Sequence, residues 1–307
     1  MKRITAILLI SIIITGVFSL SASALSYEEY KNRYKSNTTS SNPYSKYYDY
    51  YGMLSANKYV ESKIPAIMYH KVTHNPDEVT DYVVTAQMVR DDFEEIKARG
   101  YTPIFVSEYY DLVNIYKSND KNRYNKIVEY FEETSKPIII TFDDGYEGIY
   151  EDVLPLMKEY GFKVNFYICG ELIDQQNPEY CTWEEVKELS QCGLAEIGNH
   201  TYGLHKYSKD VLADMYNYNL YSAIFDINQN RALIKEKLGL ESNIISFPYG
   251  LYDSYVLDVL KTYGYDTFIS TDYRVNTIKD AVATLGRFNR PASFTTKEFF
   301  DLIENYR

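Results

Sequence analysis

Beyond Lys63, short apolar runs alternate with stretches whose apolar residues recur every three or four positions, the periods of strand and helix respectively. Strands are expected at residues 64–70, 102–106, 163–168, 195–198, 244–247, 265–270 and 283–288, with a central one introduced by Pro137 and ending at Phe142. Between them, Thr85 caps a helix running to residue 99 and closed by Gly100, and an amphipathic stretch covers 108–116. Further helices are expected at 147–160 before Gly161, from the Thr182/Glu185 capping box to residue 192, and at 208–238, 253–263 and 295–306. Residues 117–135 read as a charged insertion. Strands alternating with helices imply βαβ units, and seven or eight of them in about 245 residues predict an α/β fold: a closed, distorted or incomplete β/α barrel of parallel strands.

The start of the chain has a different pattern. Lys2 and Arg3 precede an apolar run over residues 4–18, and Ala22-Ser23-Ala24 supplies small residues at cleavage spacing, so residues 1–24 are expected to be a secretory signal peptide. An uncleaved anchor is the alternative, although the run is short for a membrane span. Residues 25–60 turn to Tyr, Ser, Asn and Lys and read as a linker or wall-spanning stalk, whose tyrosines (Tyr44, Tyr47, Tyr48, Tyr50, Tyr51) suit either a disordered tail or sugar binding. The folded domain is then expected over 61–307, and the protein is expected outside the cell without stable membrane insertion.

Charge narrows the partners. The formal net charge of −11 argues against nucleic acid. Three cysteines, Cys169, Cys181 and Cys192, are too few for a disulfide framework, and whether Cys181 and Cys192 pair is left open.

Chemistry concentrates at a few places. Asp143 and Asp144 follow a buried strand directly and are closed off by Gly145, where desolvation and mutual repulsion are costly unless a cation offsets them. Asp-Asp-Gly also serves solvated turns, and residues 136–145 alone do not choose. Of four histidines, His200 and His205 follow the 195–198 strand, and their five-residue gap lets both face one ion only on a loop, which Gly203 permits. Two imidazoles and a carboxylate leave an open position for water or substrate.

Taken together, Thr141-Phe142-Asp143-Asp144-Gly145, His200-Thr201 and His205 resemble the NodB-type polysaccharide deacetylases, from about residue 64 to 303. The resemblance implies metal-dependent removal of acetyl groups from sugar polymers, with Asp143 as base, Asp144, His200 and His205 as metal ligands, and Thr201 steadying the histidine loop. Three departures from the peptidoglycan-type members stand out: the five-residue histidine gap, Ser246-Phe247-Pro248-Tyr249-Gly250 without a preceding arginine, and no histidine near the C-terminus. All three are similar to the extracellular poly-N-acetylglucosamine deacetylases, and this likeness makes His70 the general acid. Tyr249 is the expected oxyanion-holding N–H, with Pro248, Tyr249 and Arg287 as substrate-binding residues. Arg287 is also a candidate to orient Asp143, or simply a surface arginine. The donor set suits zinc, with cobalt or nickel as alternatives.

The resemblance therefore implies a secreted hydrolase acting on an N-acetylated polysaccharide of exopolysaccharide or cell wall. An acetyl-xylan-type O-deacetylase and a non-catalytic glycan-binding wall protein are the alternatives. His74 and Trp183 are expected to be a solvated bystander and a core residue.

Overall fold

The computed structural model describes residues 45–306 except Val282, with side chains from residue 53. The expected signal peptide and most of the expected linker lie outside the described residues. The linker's last sixteen residues form a helix, α1 (Ser45–Val60). Ala56 and Val60 on it are buried, and the Tyr59 ring stacks on Phe131 at 4.9 Å. A narrow apolar stripe thus docks the helix, although the composition around it is polar.

The first strand is β1 (Ala66–Tyr69), followed by a small parallel pair of β2 (Lys71–Thr73) and β3 (Val83–Thr85). Thr85 accepts from the Met88 N–H at the start of α2 (Ala86–Ala98). After β4 (Tyr101–Ile104) come α3 (Val106–Lys117) and α4 (Arg123–Thr134). The last is a correction: the charged insertion contains a helix, because Ile127, Tyr130 and Phe131 give it a buried face. The central strand is β5 (Lys136–Phe142), on which Ile138, Ile139, Ile140 and Phe142 are fully buried, each contributing about 1.5–3 kcal/mol. The expected 147–160 helix opens as a π-turn, Ile149–Val153, and becomes α5 (Leu154–Tyr160) at Pro155, whose missing N–H breaks the regular ladder.

Next come β6 (Val164–Ile168), α6 (Gly170–Asp174), α7 (Trp183–Gln191) with its Thr182/Glu185 capping box, and β7 (Ala195–Asn199). The helical region expected at 208–238 is two helices, α8 (Lys209–Tyr218) and α9 (Leu220–Leu238), broken where Asn219 leaves helical geometry. The remaining elements are β8 (Ile244–Ser246), α10 (Ser254–Thr262), β9 (Thr267–Ile269), β10 (Phe288–Asn289) and α11 (Thr296–Asn305).

The main sheet is parallel throughout, in the order β10-β1-β5-β6-β7-β8-β9. β4 and β6 share one edge of β5, β4 along its first half and β6 at its end. Asn165 fills their junction, donating to the Ile104 and Ile140 carbonyls and accepting from the Val106 N–H. The sheet curls until its ends meet across residues 285–289. Leu285 pairs with Ile269 of β9, and Phe288 pairs with Ile67 of β1. The strand expected at 283–288 is only two residues long because Gly286 bonds both its N–H and its carbonyl to the Asn276 side chain at 2.9 Å rather than to a strand. The result is the distorted parallel barrel anticipated from the alternation, with its strand carboxyl ends gathered on one rim.

Candidate active site

That rim holds a cavity of about 620 Å³. Its lining includes His70 from the end of β1, Asp143 and Asp144 from the end of β5, His200 and His205 after β7, and Arg287 just before β10. Segments far apart in the chain are brought together because each functional side chain sits within a few residues of a strand end.

Asp143 is buried, and Arg287 grips both its oxygens, Nη1 to Oδ1 at 2.7 Å and Nη2 to Oδ2 at 2.8 Å. The other donors of the guanidinium go to Ser270 O, Thr141 Oγ1 and Ser246 Oγ, each at 3.0 Å. All five N–H groups are thereby placed, which is what lets a charged pair survive without water. Burial alone would push the Asp143 carboxyl up, but the Arg287 guanidinium, helped by His200, outweighs it and holds the group well below the usual carboxylate range. Arg287 is therefore not a surface residue, and with every donor committed to protein it has none left for substrate. Its expected role as a substrate contact gives way to its other expected place, on Asp143.

Asp144 sits at φ 75°, a left-handed conformation that costs a non-glycine residue and recurs here at Thr201 and Tyr249. Its Oδ1 atom is buried without a hydrogen-bond partner among the described residues. His200 Nε2 stands 3.3 Å from that oxygen and His205 Nε2 3.4 Å. The far nitrogen of His200, Nδ1, lies 2.8 Å from the Ser246 carbonyl, which can only accept, so Nδ1 carries the proton and the Nε2 lone pair faces Asp144. Burial works against charging His200, yet the two aspartates together raise its pKa. Burial dominates at His205 and at His70 and lowers both. Two imidazole nitrogens converging on an orphaned carboxylate oxygen in a buried place are what a divalent cation satisfies, so the residues fit such an ion.

The histidine loop is shaped from outside the motif. Asn199 Oδ1 accepts from the Thr201 N–H at 2.7 Å and from Asn230 Nδ2 at 2.8 Å. Asp226 accepts from the Tyr202 and Gly203 N–H groups. The Thr201 hydroxyl, expected to steady the loop, is a buried atom with no partner among the described residues, so that work falls to Asn199 and Asp226. A Cβ at Gly203 would lie 2.5 Å from Glu171 Oε2, so a larger residue there would turn that flexible carboxylate aside. The turn ends in a 3-10 segment, Leu204–Lys206, that swings His205 back beside His200.

Tyr249, at φ 57°, lines the cavity with its ring 4.8 Å from His205, and its hydroxyl donates to the His205 and Tyr207 carbonyls. Pro248 is buried and does not line the cavity, so its expected substrate contact is corrected. His74 is mostly exposed and pairs with Asp152 at 3.0 Å. Trp183 packs against the core and donates to Asp174. The three cysteines are free thiols: Cys181 donates to the Tyr146 carbonyl, and Cys192 accepts from the Leu194 N–H. Cys169, at the end of β6, was not singled out from the sequence, though its place on the same rim would have flagged it. Its Sγ, with Asp144 and His200, forms a buried trio whose donor atoms lie within 4.8 Å of one another. The thiol donates to the His200 carbonyl, and burial keeps it protonated.

With this geometry in view, comparison with known proteins is direct. Residues 132–268 match the polysaccharide deacetylase family. The poly-beta-1,6-N-acetyl-D-glucosamine N-deacetylase of Staphylococcus aureus (strain MSSA476) is 25% identical over 222 residues, 67% of this chain and 71% of the relative. The protein of the same name from Escherichia coli (strain K12) is 21% identical over 67% of this chain and 34% of its own length. IcaB from Ammonifex degensii shares the fold, with a TM-score of 0.64 at 20% identity over 79% of this chain and 96% of that one. Over residues 132–268 this chain is therefore similar to the polysaccharide deacetylase family, and it shares the fold of IcaB.

Proposed function

We propose that this chain is a secreted, divalent-metal-dependent N-deacetylase of an N-acetylglucosamine polymer, β-1,6-linked like the substrate named for its relatives. The observation that carries the reading is the buried, unpartnered Asp144 Oδ1 flanked by two imidazole nitrogens. Asp144, His200 and His205 would hold the ion, with zinc best suited and cobalt or nickel alternatives. Secretion rests on Lys2, Arg3 and the apolar run after them. No helix among the described residues is long and apolar enough to cross a membrane.

The chemistry asks three things of the protein. A bound divalent ion supplies acidification of water, from a pKa of about 15.7 toward 7, and polarisation of the acetyl carbonyl. Asp143 takes the proton from the attacking water. Arg287 makes that carboxylate a weak base, so Asp143 stays ionised at any working pH and depends on the water being acidified. The Tyr249 N–H donates to the developing oxyanion, fixed there by the strained turn at Pro248–Gly250. His70 hands a proton to the departing amine, without which the C–N bond does not break. Its Nδ1 is buried without a partner among the described residues, and its ring is braced edge-on by Tyr82 at 5.1 Å.

Acetate release from β-1,6-N-acetylglucosamine oligomers is the test. It should be abolished by a chelator and fall about 10²–10⁴-fold in Asp143→Asn. Release that survives Asp144→Ala combined with His200→Ala would remove the mechanism.

A further inference from the structure

The carboxylate and imidazoles assigned above leave one neighbouring donor unused. Cys169 Sγ belongs with Asp144 and His200 to a buried group whose donor atoms lie within 4.8 Å of one another. Backbone bonds build this group in advance. The Cys169 N–H donates to the Asp144 carbonyl at 3.3 Å and the His200 N–H to the Ile168 carbonyl at 3.0 Å, so the ends of β5, β6 and β7 are stitched together at these three residues. The thiol donates to the His200 carbonyl, also at 3.3 Å. Asp144, whose Oδ1 is buried without a hydrogen-bond partner among the described residues, is common to this group and to the set completed by His205.

The two sets face different ways. His205 lines the large cavity, whereas Cys169 is 1% exposed and lines an adjoining pocket of about 170 Å³ but not the cavity. They also differ in chemistry: carboxylate and imidazole suit borderline ions such as cobalt, nickel and zinc, and a thiolate favours soft ones. We propose that Asp144, Cys169 and His200 form a second, overlapping site for a soft divalent cation of the cadmium type, which excludes the catalytic ion because the two sets share Asp144 and His200. Capture there breaks the S–H bond and forms a sulfur–metal bond with the electron pair left on sulfur. The proton goes to solvent, and nothing changes oxidation state. An ion so held gives up His205 and the cavity wall, so deacetylation stops. That last consequence rests on the deacetylase reading, whereas the site itself stands on the three side chains.

Cadmium and cobalt are titrated separately into the chelator-stripped full chain and into Cys169→Ser, Cys169→Ala and His205→Ala, following heat and the sulfur-to-metal charge-transfer absorption in the ultraviolet. The parent should bind one cadmium per chain with that absorption. Either Cys169 variant should lose the absorption and bind cadmium at least about tenfold more weakly, while its cobalt binding stays within about twofold of the parent's. His205→Ala should do the reverse, weakening cobalt and sparing cadmium. Cys181→Ser combined with Cys192→Ser should keep the absorption, since neither thiol belongs to the group. Absorption that survives the loss of Cys169 would overturn the second site. So would equal losses of both ions in the Cys169 and His205 variants, which would mean one undivided ligand set. Retained cobalt binding shows that the Cys169 variants are folded, and Ser can still donate to the His200 carbonyl. In acetate release, cadmium should inhibit the cobalt-loaded parent and spare Cys169→Ser at the same concentration. A parent that binds cadmium through Cys169 yet releases no acetate with any metal contradicts the deacetylase reading and supports the site.

Discussion

Arg287 and Asp143, 144 positions apart in the chain, meet as a two-point ion pair at 2.7 and 2.8 Å with neither side chain open to water. The pair fixes the carboxylate against the barrel end and sets its charge.

Replacing Arg287 with Met leaves Asp143 buried and unpaired, at a cost of about 3–5 kcal/mol. The depressed carboxyl contributes stability that is present above its unfolded pKa and is lost only as pH falls through the folded one. At neutral pH the full loss should appear as a lower urea midpoint. The milder Arg287→Lys keeps a charge without the fork, so the acid limb of the pH–rate profile should move up. An unmoved limb would contradict the assigned role of Arg287.

His70 should be needed for turnover more than for binding. His70→Asn should lower kcat by about 10²–10⁴-fold with little change in KM. Burial lowers the pKa of this imidazole, and the proton-donating form is lost as pH rises through that value, so the parent's activity should fall on the alkaline side. The variant's residual activity should lack that limb. A parent-like alkaline limb in the variant assigns the acid elsewhere.

Away from the site, burial pushes the Glu196 carboxyl up to about 7, with the Ser107 N–H pulling the other way. The folded chain then binds this proton more tightly than the unfolded chain does. Stability from it is full below the ordinary carboxylate range and is lost as pH rises through about 7. Glu196→Gln can still accept from Ser107, and between about pH 5 and 8 its urea midpoint should rise relative to the parent's. Parallel curves would show that the carboxyl titrates normally.

A chain begun at residue 61, the domain boundary expected from composition, removes α1 and with it the cover over Phe131. Losing the buried Ala56 and Val60 and the Tyr59 stack should cost about 3 kcal/mol or more, and melting temperature should fall by about 2–4 °C per kcal/mol. Equal melting temperatures would mean that α1 adds nothing to the fold.

Much of this was legible in the sequence, for physical reasons. The period of apolar residues placed β5 and the curled parallel sheet, and the capping box at Thr182 appears as expected. Asp143, Asp144, His200 and His205 were visible because charged and imidazole groups are conspicuous directly after apolar strands. Asn199, Asp226 and Ser246 were not, since single amides, acids and hydroxyls carry no spacing signal and act through backbone contacts made only in the fold. The committed state of Arg287 was equally hidden, because its five acceptor atoms come from three separate segments. The helix within 117–135 was obscured by its charges, which lie opposite a short buried stripe.

The central claim is that Asp144, His200 and His205 form one cation site. Zinc content after dialysis of chelator-stripped protein against buffered zinc tests it most directly. The account predicts one tightly held ion per chain in the parent and almost none in Asp144→Ala or His200→Ala, with zinc raising the melting temperature of the parent alone. A full ion retained by either variant, or none by the folded parent, would contradict it.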